Sequence, residues 1–366
     1  MSAALPLVVL GAGRAALAEA RLIAESEGAT LLALVEPADE ARARAAEDGF
    51  PVVPDLDSLS AAPAGAVVAG PFTGHGAAVE TTLARGLPTL LARPLAASMR
   101  DARRVRAAAE APDAPPVLVG HHRRHHAVVG AAREVVRGGL LGRLVGVQSI
   151  WVLRAPEPDR RWAWRVESGG GVAFVQLVHE LDLIRHVAGE IRSVAAHSGF
   201  FESHGARADA GALALELEGG ALATALLSDV ALSPWGWEAA TGEDPEIPAT
   251  GEDCLRLVGA EGALSLPSLA CWRHAGEGRG DATRPLTRLP MPCPPTDPRA
   301  AQLAHFLAVA RGEAAPLSTV EDAQRSLAVA FASFESAREG VAVRPDPDRL
   351  GPWEAAAEAI AAQRTG

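Results

Sequence analysis

Residues 5–27 read LPLVVLGAGRAALAEARLIAESE, and this stretch divides into a strand, a glycine turn and a helix. Leu5–Leu10 is a short apolar run with the length of a buried strand, and Ala15–Glu27 repeats its apolar residues at a helical period. Between them lies Gly11-Ala12-Gly13-Arg14-Ala15-Ala16, a G-x-G-x-x-G/A fingerprint in the strand–turn–helix setting that it requires. Gly11 permits the tight turn, Gly13 lets the backbone approach a diphosphate, and Ala16 keeps helix and strand close. The free N–H groups and positive dipole end of the helix then face the phosphates.

A second strand over Thr30–Glu36 ends in an acid, and Glu36 is placed to bind the hydroxyls of an adenosine ribose. A carboxylate there repels a 2′-phosphate, so NAD is expected in preference to NADP. Arg14 is the cation that could blur this choice. The expected cofactor-binding residues of this segment are Gly11, Ala12, Gly13, Arg14, Ala15 and Glu36. Strands at Ala66–Ala69, Thr89–Ala92 and Val117–Gly120 alternate with helices at Ala38–Asp48, Gly74–Arg85 and Met99–Ala111. Strands separated by helices of this length imply right-handed crossovers and a parallel sheet.

The pattern changes near His121. A helix over Val128–Arg137 leads through Gly138-Gly139 into an extended stretch, Leu144–Leu153, and another helix follows Gly169–Gly171. Ala212–Leu217 and Ala221–Leu227 flank Gly219-Gly220 as a hairpin, and Cys254–Val258 and Ala263–Leu266 have the same short-strand character. Helices at Arg299–Arg311 and Thr319–Glu339 follow, while Pro234–Thr250 and Ala275–Asp297 read as loops. The expected class is α/β. An N-terminal Rossmann domain with a parallel sheet covers 1–122, an α+β domain with a mostly antiparallel open sheet covers 123–345, and a tail with a short helix covers 346–366.

Composition excludes several classes of function. A net charge of −11 argues against nucleic acid as a main partner, since phosphate binding wants a basic face. No apolar run approaches the ~20 residues that span a bilayer, and the opening residues lack the basic region of a signal peptide, so a cytoplasmic protein is expected. Cys254, Cys271 and Cys293 share no metal-type spacing. The run His121-His122-Arg123-Arg124-His125-His126 does not space its imidazoles as i, i+4 ligands, and no metal is expected. The chain contains no Lys, Asn or Tyr, so all 34 of its basic side chains are Arg.

Further segments resemble the glucose–fructose oxidoreductase / inositol dehydrogenase / rhizopine-catabolism (Gfo/Idh/MocA) oxidoreductases. Ala69-Gly70-Pro71-Phe72-Thr73-Gly74-His75 resembles that family's "ATP…H" loop beside the nicotinamide, and Ala92-Arg93-Pro94-Leu95-Ala96 its "EKPLA" segment. Gly169-Gly170-Gly171 followed by His179-Glu180-Leu181-Asp182 resembles its "GGG…H-x-x-D" signature, and Val119–Arg124 resembles its domain junction. The resemblance adds Pro71, His75, Arg93 and Pro94 to the cofactor-binding set. It also implies an oxidoreductase acting on a polyol or sugar-like small molecule, assembled as a homodimer or homotetramer. The departures fall at the chemistry. The family's lysine is Arg93 and its glutamate Ala92. Many members carry Asp where Val175 stands, and others carry Asn where Gln176 stands.

Oxidising an alcohol with NAD removes a hydride from carbon and a proton from oxygen, and the protein must handle the proton. Arg93 can clamp an oxygen but cannot release a proton at ordinary pH. His179 is therefore the expected acid/base, with Asp182, three residues on and on the same helical face, as its orienting group. His186 extends that face and is read as structural. His122, Arg165 and Gln176 are the expected substrate contacts, Trp162 and Trp164 border the same pocket, and Trp235 and Trp237 serve packing or an interface. A catalytically silent NAD- or sugar-binding regulator of the same fold stands as the alternative, because Arg93 replaces the family lysine.

Overall fold

Leu7, Val8 and Val9 have no exposed surface. Leu7 and Val9 pack with Ile23, Leu34, Leu90 and Leu118 on one face of a sheet, and Val8 packs with Ala66 and Leu87 on the other. A strand buried on both faces reads as a continuous apolar run, which is why Leu5–Leu10 does not alternate. The computed structural model describes residues 3–154, 171–199, 201, 208–274 and 280–350. By contacts the chain divides into two units, Met1–His122 with Arg299–Leu327 and Pro347–Gly366, and Arg123–Pro298 with Ala328–Asp346.

The first unit holds β1 (Leu5–Leu10), α1 (Arg14–Glu25), β2 (Ala29–Val35), α2 (Asp39–Glu47), β3 (Val52–Val53), β4 (Gly65–Val68), α3 (His75–Ala84), β5 (Thr89–Ala92), α4 (Met99–Ala109) and β6 (Val117–Gly120). Its six-stranded sheet runs in the order β3-β2-β1-β4-β5-β6 with every neighbouring pair parallel. The order reverses between β1 and β4, and a crevice outside the carboxyl ends of the strands at such a reversal is where open α/β sheets take ligands. The two-residue β3 has no signature in the sequence, since two residues show no periodicity.

The second unit contains α5 (Ala127–Arg137), β7 (Leu144–Val152), α6 (Gly171–Ala188), β8 (Ile191–Gly199), β9 (Ala210–Leu217), β10 (Leu222–Ser228), α7 (Trp237–Thr241), β11 (Leu255–Gly259), β12 (Gly262–Leu266), β13 (Ala270–His274) and β14 (Leu286–Leu289). Its eight strands order as β14-β13-β12-β11-β7-β10-β9-β8, antiparallel except for the parallel pair β7–β10. Val147, Ser149 and Trp151 of β7 point to the buried face. On the opposite face one row of paired residues runs Leu222, Gly146, Val258, Ala263, Trp272, and Leu222 is 64% and Trp272 40% exposed.

Two helices follow, α8 (Pro298–Ala310) and α9 (Val320–Glu339). Chain order alone places α8 with the second domain. Instead Leu303, Phe306 and Leu307 join the core formed by Leu7, Val9 and Leu90 of the first unit. Burial of about 1.5–3 kcal/mol per large apolar side chain fixes that choice over chain order. The stretches read as loops also contain elements: α7 lies within Pro234–Thr250, and β14 within Ala275–Asp297. Pro347 accepts a hydrogen bond from Gln324 Nε2 at 2.6 Å, and Asp348 meets Arg106 at 3.4 Å, so the start of the tail packs on the first unit. The short helix expected in the tail lies outside the described residues. Among the described residues no helix is long and apolar enough to cross a membrane, and no three of His, Cys, Asp and Glu are grouped to hold a metal ion.

Candidate active site

The turn after β1 has φ of +114° at Gly11, a backbone state that side chains resist, and a Cβ there would sit 2.9 Å from Gly70. The turns after β1 and β4 touch because Gly11 carries no Cβ, whereas a Cβ on Gly70 would meet Leu10 and Gly11 only at 3.8 and 4.0 Å. Gly13 is different. It caps α1 in an extended conformation, no side chain caps the helix, and a Cβ built on it meets nothing within 4 Å. Open space beside an uncapped helix N-terminus is what a dinucleotide diphosphate needs, so the residues present fit that group. Arg14 and Ala15 are exposed at the same end, Ala12 is half-buried, and Ala16 is buried against the strand.

Glu36 follows β2 directly and is half-buried, and its Oε1 accepts from the Ala38 N–H at 3.1 Å. The loops after β4 and β5 are joined by His75, whose ring is buried. Its Nδ1 lies 3.0 Å from the Pro94 carbonyl and its Nε2 3.2 Å from the Gly70 carbonyl. Burial lowers the His75 pKa, while the carbonyls of Gly70, Pro94 and Leu95 pull the other way. A neutral imidazole donates to only one of the two facing oxygens. His75, an expected cofactor contact, ties these two loops together, with Pro71 exposed on one and Arg93 half-buried on the other. His122 is buried at the start of the short 3-10 helix His122–His125.

In the second unit Gln176, His179 and Asp182 are buried on α6, a helix buried on nearly all sides from Phe174 to Arg185. Asp182 accepts from Arg124 through both oxygens, at 2.9 Å from Nε and 2.6 Å from Nη2. Arg165, Trp162, Trp164 and the glycines Gly169 and Gly170 lie outside the described residues. His186 is half-buried, and its carbonyl accepts from Arg133 at 3.0 Å.

A web of charges next to these residues went unread in the sequence. Arg123, 2% exposed, donates to Glu180 at 2.6 Å and to Glu238 at 2.9 Å, lies 3.8 Å from Glu243, and stacks over the Trp237 ring at 5.3 Å. Burial works against its charge, but Glu238, Glu180 and Glu243 outweigh it and raise its pKa. Burial raises the Glu180 carboxyl despite Arg123 and a short hydrogen bond from the Ser149 hydroxyl at 2.5 Å. Glu238 also accepts from Trp151 Nε1 at 2.7 Å and from Gln176 Nε2 at 3.1 Å, and Trp237 Nε1 donates to Glu243 at 2.9 Å. The Gln176 amide is thereby oriented, and its Oε1 has no hydrogen-bond partner among the described residues. Buried Cys254 lies beside this web, and burial, then Glu180, raises its thiol. The available signal was Arg123-Arg124 set against the Glu180…Asp182 spacing of α6, but nothing local pairs them.

Comparison with known proteins agrees with this geometry. The family description "Oxidoreductase family, NAD-binding Rossmann fold" matches residues 5–121, and "GFO/IDH/MocA C-terminal domain" matches residues 129–265. The rhizopine catabolism protein MocA of Rhizobium meliloti is 30% identical over 187 residues, 50% of this chain and 57% of that protein. Inositol 2-dehydrogenase of Leifsonia xyli subsp. xyli is 32% identical over 165 residues, 44% of this chain and 47% of that protein. The matched stretch thus spans about half the length of these curated relatives. An oxidoreductase from Agrobacterium radiobacter, solved with NAD+, L-tartaric acid and magnesium, superposes with a TM-score of 0.76 at 18% identity, covering 93% of this chain and 98% of that one.

Proposed function

The chain belongs to the Gfo/Idh/MocA family of oxidoreductases, and we propose that it is an NAD(H)-dependent oxidoreductase acting on a sugar, a cyclitol or a related hydroxy compound. The observation that carries the reading is the uncapped α1 N-terminus with open space at Gly13. A nicotinamide dinucleotide, when bound, supplies the hydride acceptor or donor. Gly11, Ala12, Gly13, Arg14 and Ala15 hold its diphosphate, Glu36 its adenosine ribose, and Pro71, Arg93 and Pro94 the nicotinamide side. His75 is a positioning residue that holds the Pro94 loop to the Gly70 loop.

His179 takes the hydroxyl proton in oxidation and returns it in reduction. Arg93, permanently charged, clamps the reacting oxygen and takes no part in proton transfer. Asp182, held by Arg124, fixes α6 and with it the height of His179. Gln176 offers its Oε1 to a substrate hydroxyl, with its amide nitrogen committed to Glu238. His122 and Arg165 complete the substrate contacts. The relative named for inositol supports a polyhydroxylated ring as substrate.

A second copy of the chain is the proposed partner, as a homodimer or homotetramer. The exposed apolar row Leu222, Val258, Trp272 supports this. The alternative, a silent NAD- or sugar-binding regulator, draws on Arg93 standing where the family's lysine stands. Steady-state assays with NAD and a polyol panel separate the two. Turnover with any member of the panel supports the enzyme. Tight NAD binding with no turnover, and none restored by Arg93→Lys, supports the regulator.

A further inference from the structure

The turn between β2 and α2 carries a charge pair that the glycine fingerprint does not require. Arg42, on α2, sends Nη1 back to the carbonyl oxygens of Glu36 at 3.0 Å and Pro37 at 2.7 Å, and Nη2 to the Asp39 carboxylate. The Arg42 side chain is 24% exposed and that of Asp39 94% exposed. A guanidinium therefore lies against the turn that presents Glu36, and an exposed carboxylate covers part of its donor fork. Glu36 and Asp39 carry −2 and Arg42 +1, so these three residues sum to −1. The guanidinium fork is also the group best shaped to grip a phosphate in bidentate fashion. Here its donors are shared between two carbonyls and Asp39.

We propose that Asp39 and Arg42 act together as a cofactor-selecting pair. Arg42 braces the turn so that Glu36 faces the adenosine ribose, and Asp39 masks the guanidinium from a 2′-phosphate. The proposal rests on the dinucleotide reading of the first unit. Neutralising Asp39 changes the local sum from −1 to 0 and releases one donor arm of Arg42 toward phosphate oxygens. Asp39 is almost wholly exposed and, among the described residues, its side chain meets only Arg42, so its replacement leaves the core untouched.

The test is calorimetric titration of the full chain with NADH and NADPH in the absence of any substrate, at low and physiological salt. Asp39→Asn tightens NADPH by about tenfold at low salt, less at physiological salt, and leaves NADH within about twofold. Arg42→Ala weakens NADH several-fold, and in the double variant it removes the gain in NADPH affinity. An unchanged NADPH/NADH ratio in Asp39→Asn overturns the pair, and so does a gain that survives Arg42→Ala. Failure of the unaltered protein to bind either nucleotide is a separate result, which overturns the cofactor reading and the pair with it.

Discussion

Arg124 grips Asp182 through two hydrogen bonds of 2.9 and 2.6 Å, with both side chains about 4% exposed. A bidentate pair this well buried fixes α6 against the segment that follows β6, although removing both charges need not destabilise the fold. Asp182→Asn takes a bidentate carboxylate away from a buried guanidinium and is expected to lower unfolding stability, by up to about 3–5 kcal/mol, in urea titrations. A well-packed Arg124→Met/Asp182→Leu double variant recovers most of that loss. Equal stability of Asp182→Asn and the parent would remove the pair from any structural role.

Gly11 and Gly13 separate folding from binding. Gly11→Ala forces a Cβ into a left-handed residue 2.9 Å from Gly70, and about 1–3 kcal/mol of stability is lost. Gly13→Ala adds only a Cβ, which meets nothing within 4 Å among the described residues, so its melting temperature stays near the parent's while NADH affinity falls about tenfold. Thermal melts and calorimetry on the two variants check this contrast, and a Gly13→Ala protein that binds NADH normally contradicts the diphosphate cradle.

How far the sequence could be read follows from the range of the interactions involved. β1, Gly11–Ala16 and α1 were legible because a buried strand, a tight turn and an amphipathic helix are written in consecutive residues. The hairpin at Gly219-Gly220 was legible for the same reason. That Phe306 of α8 packs with Leu7 is a contact between distant segments, and no local pattern announces it. The web around Arg123 was hidden in the same way, since its partners Glu180, Glu238 and Glu243 come from separate elements. Gln176 was found only through resemblance, and its tie to Glu238 emerged from the structure.

Acid sensitivity follows from His75. Its folded pKa lies below the ordinary 6.5, chiefly through burial, so the unfolded chain binds more protons in the interval between the two values. Stability is then full above about pH 6.5 and declines as pH falls below it, toward the folded value. His126 and His305 shift in the same direction and add to the slope. Melting temperatures measured from pH 7.5 to 5.5 fall, and His75→Asn flattens part of the slope. An identical slope in that variant would assign the effect to the other histidines.

His179→Ala is expected to lower turnover by about 10²–10⁴-fold while NADH affinity stays within twofold, since general acid–base groups contribute in that range. Stopped-flow and calorimetric measurements on one preparation give both numbers. Undiminished turnover takes His179 out of the proton transfer.

Leu222→Glu combined with Trp272→Glu places charges on the exposed sheet row and is expected to reduce the proposed homodimer or homotetramer to monomers in light scattering. Because both side chains already meet solvent in the isolated chain, the monomer's own fold is retained. An unchanged mass would move the interface elsewhere.

The cysteines make the molecule its own reporter of opening. Cys254 is shielded beside Glu180 and Cys271 has no exposed surface, whereas Cys293 is partly accessible. An alkylating reagent added to the native protein therefore labels one thiol of the three, and labelling of the other two counts the moments at which the second sheet comes apart. The mass added over time reads that opening directly, with no introduced dye or tag.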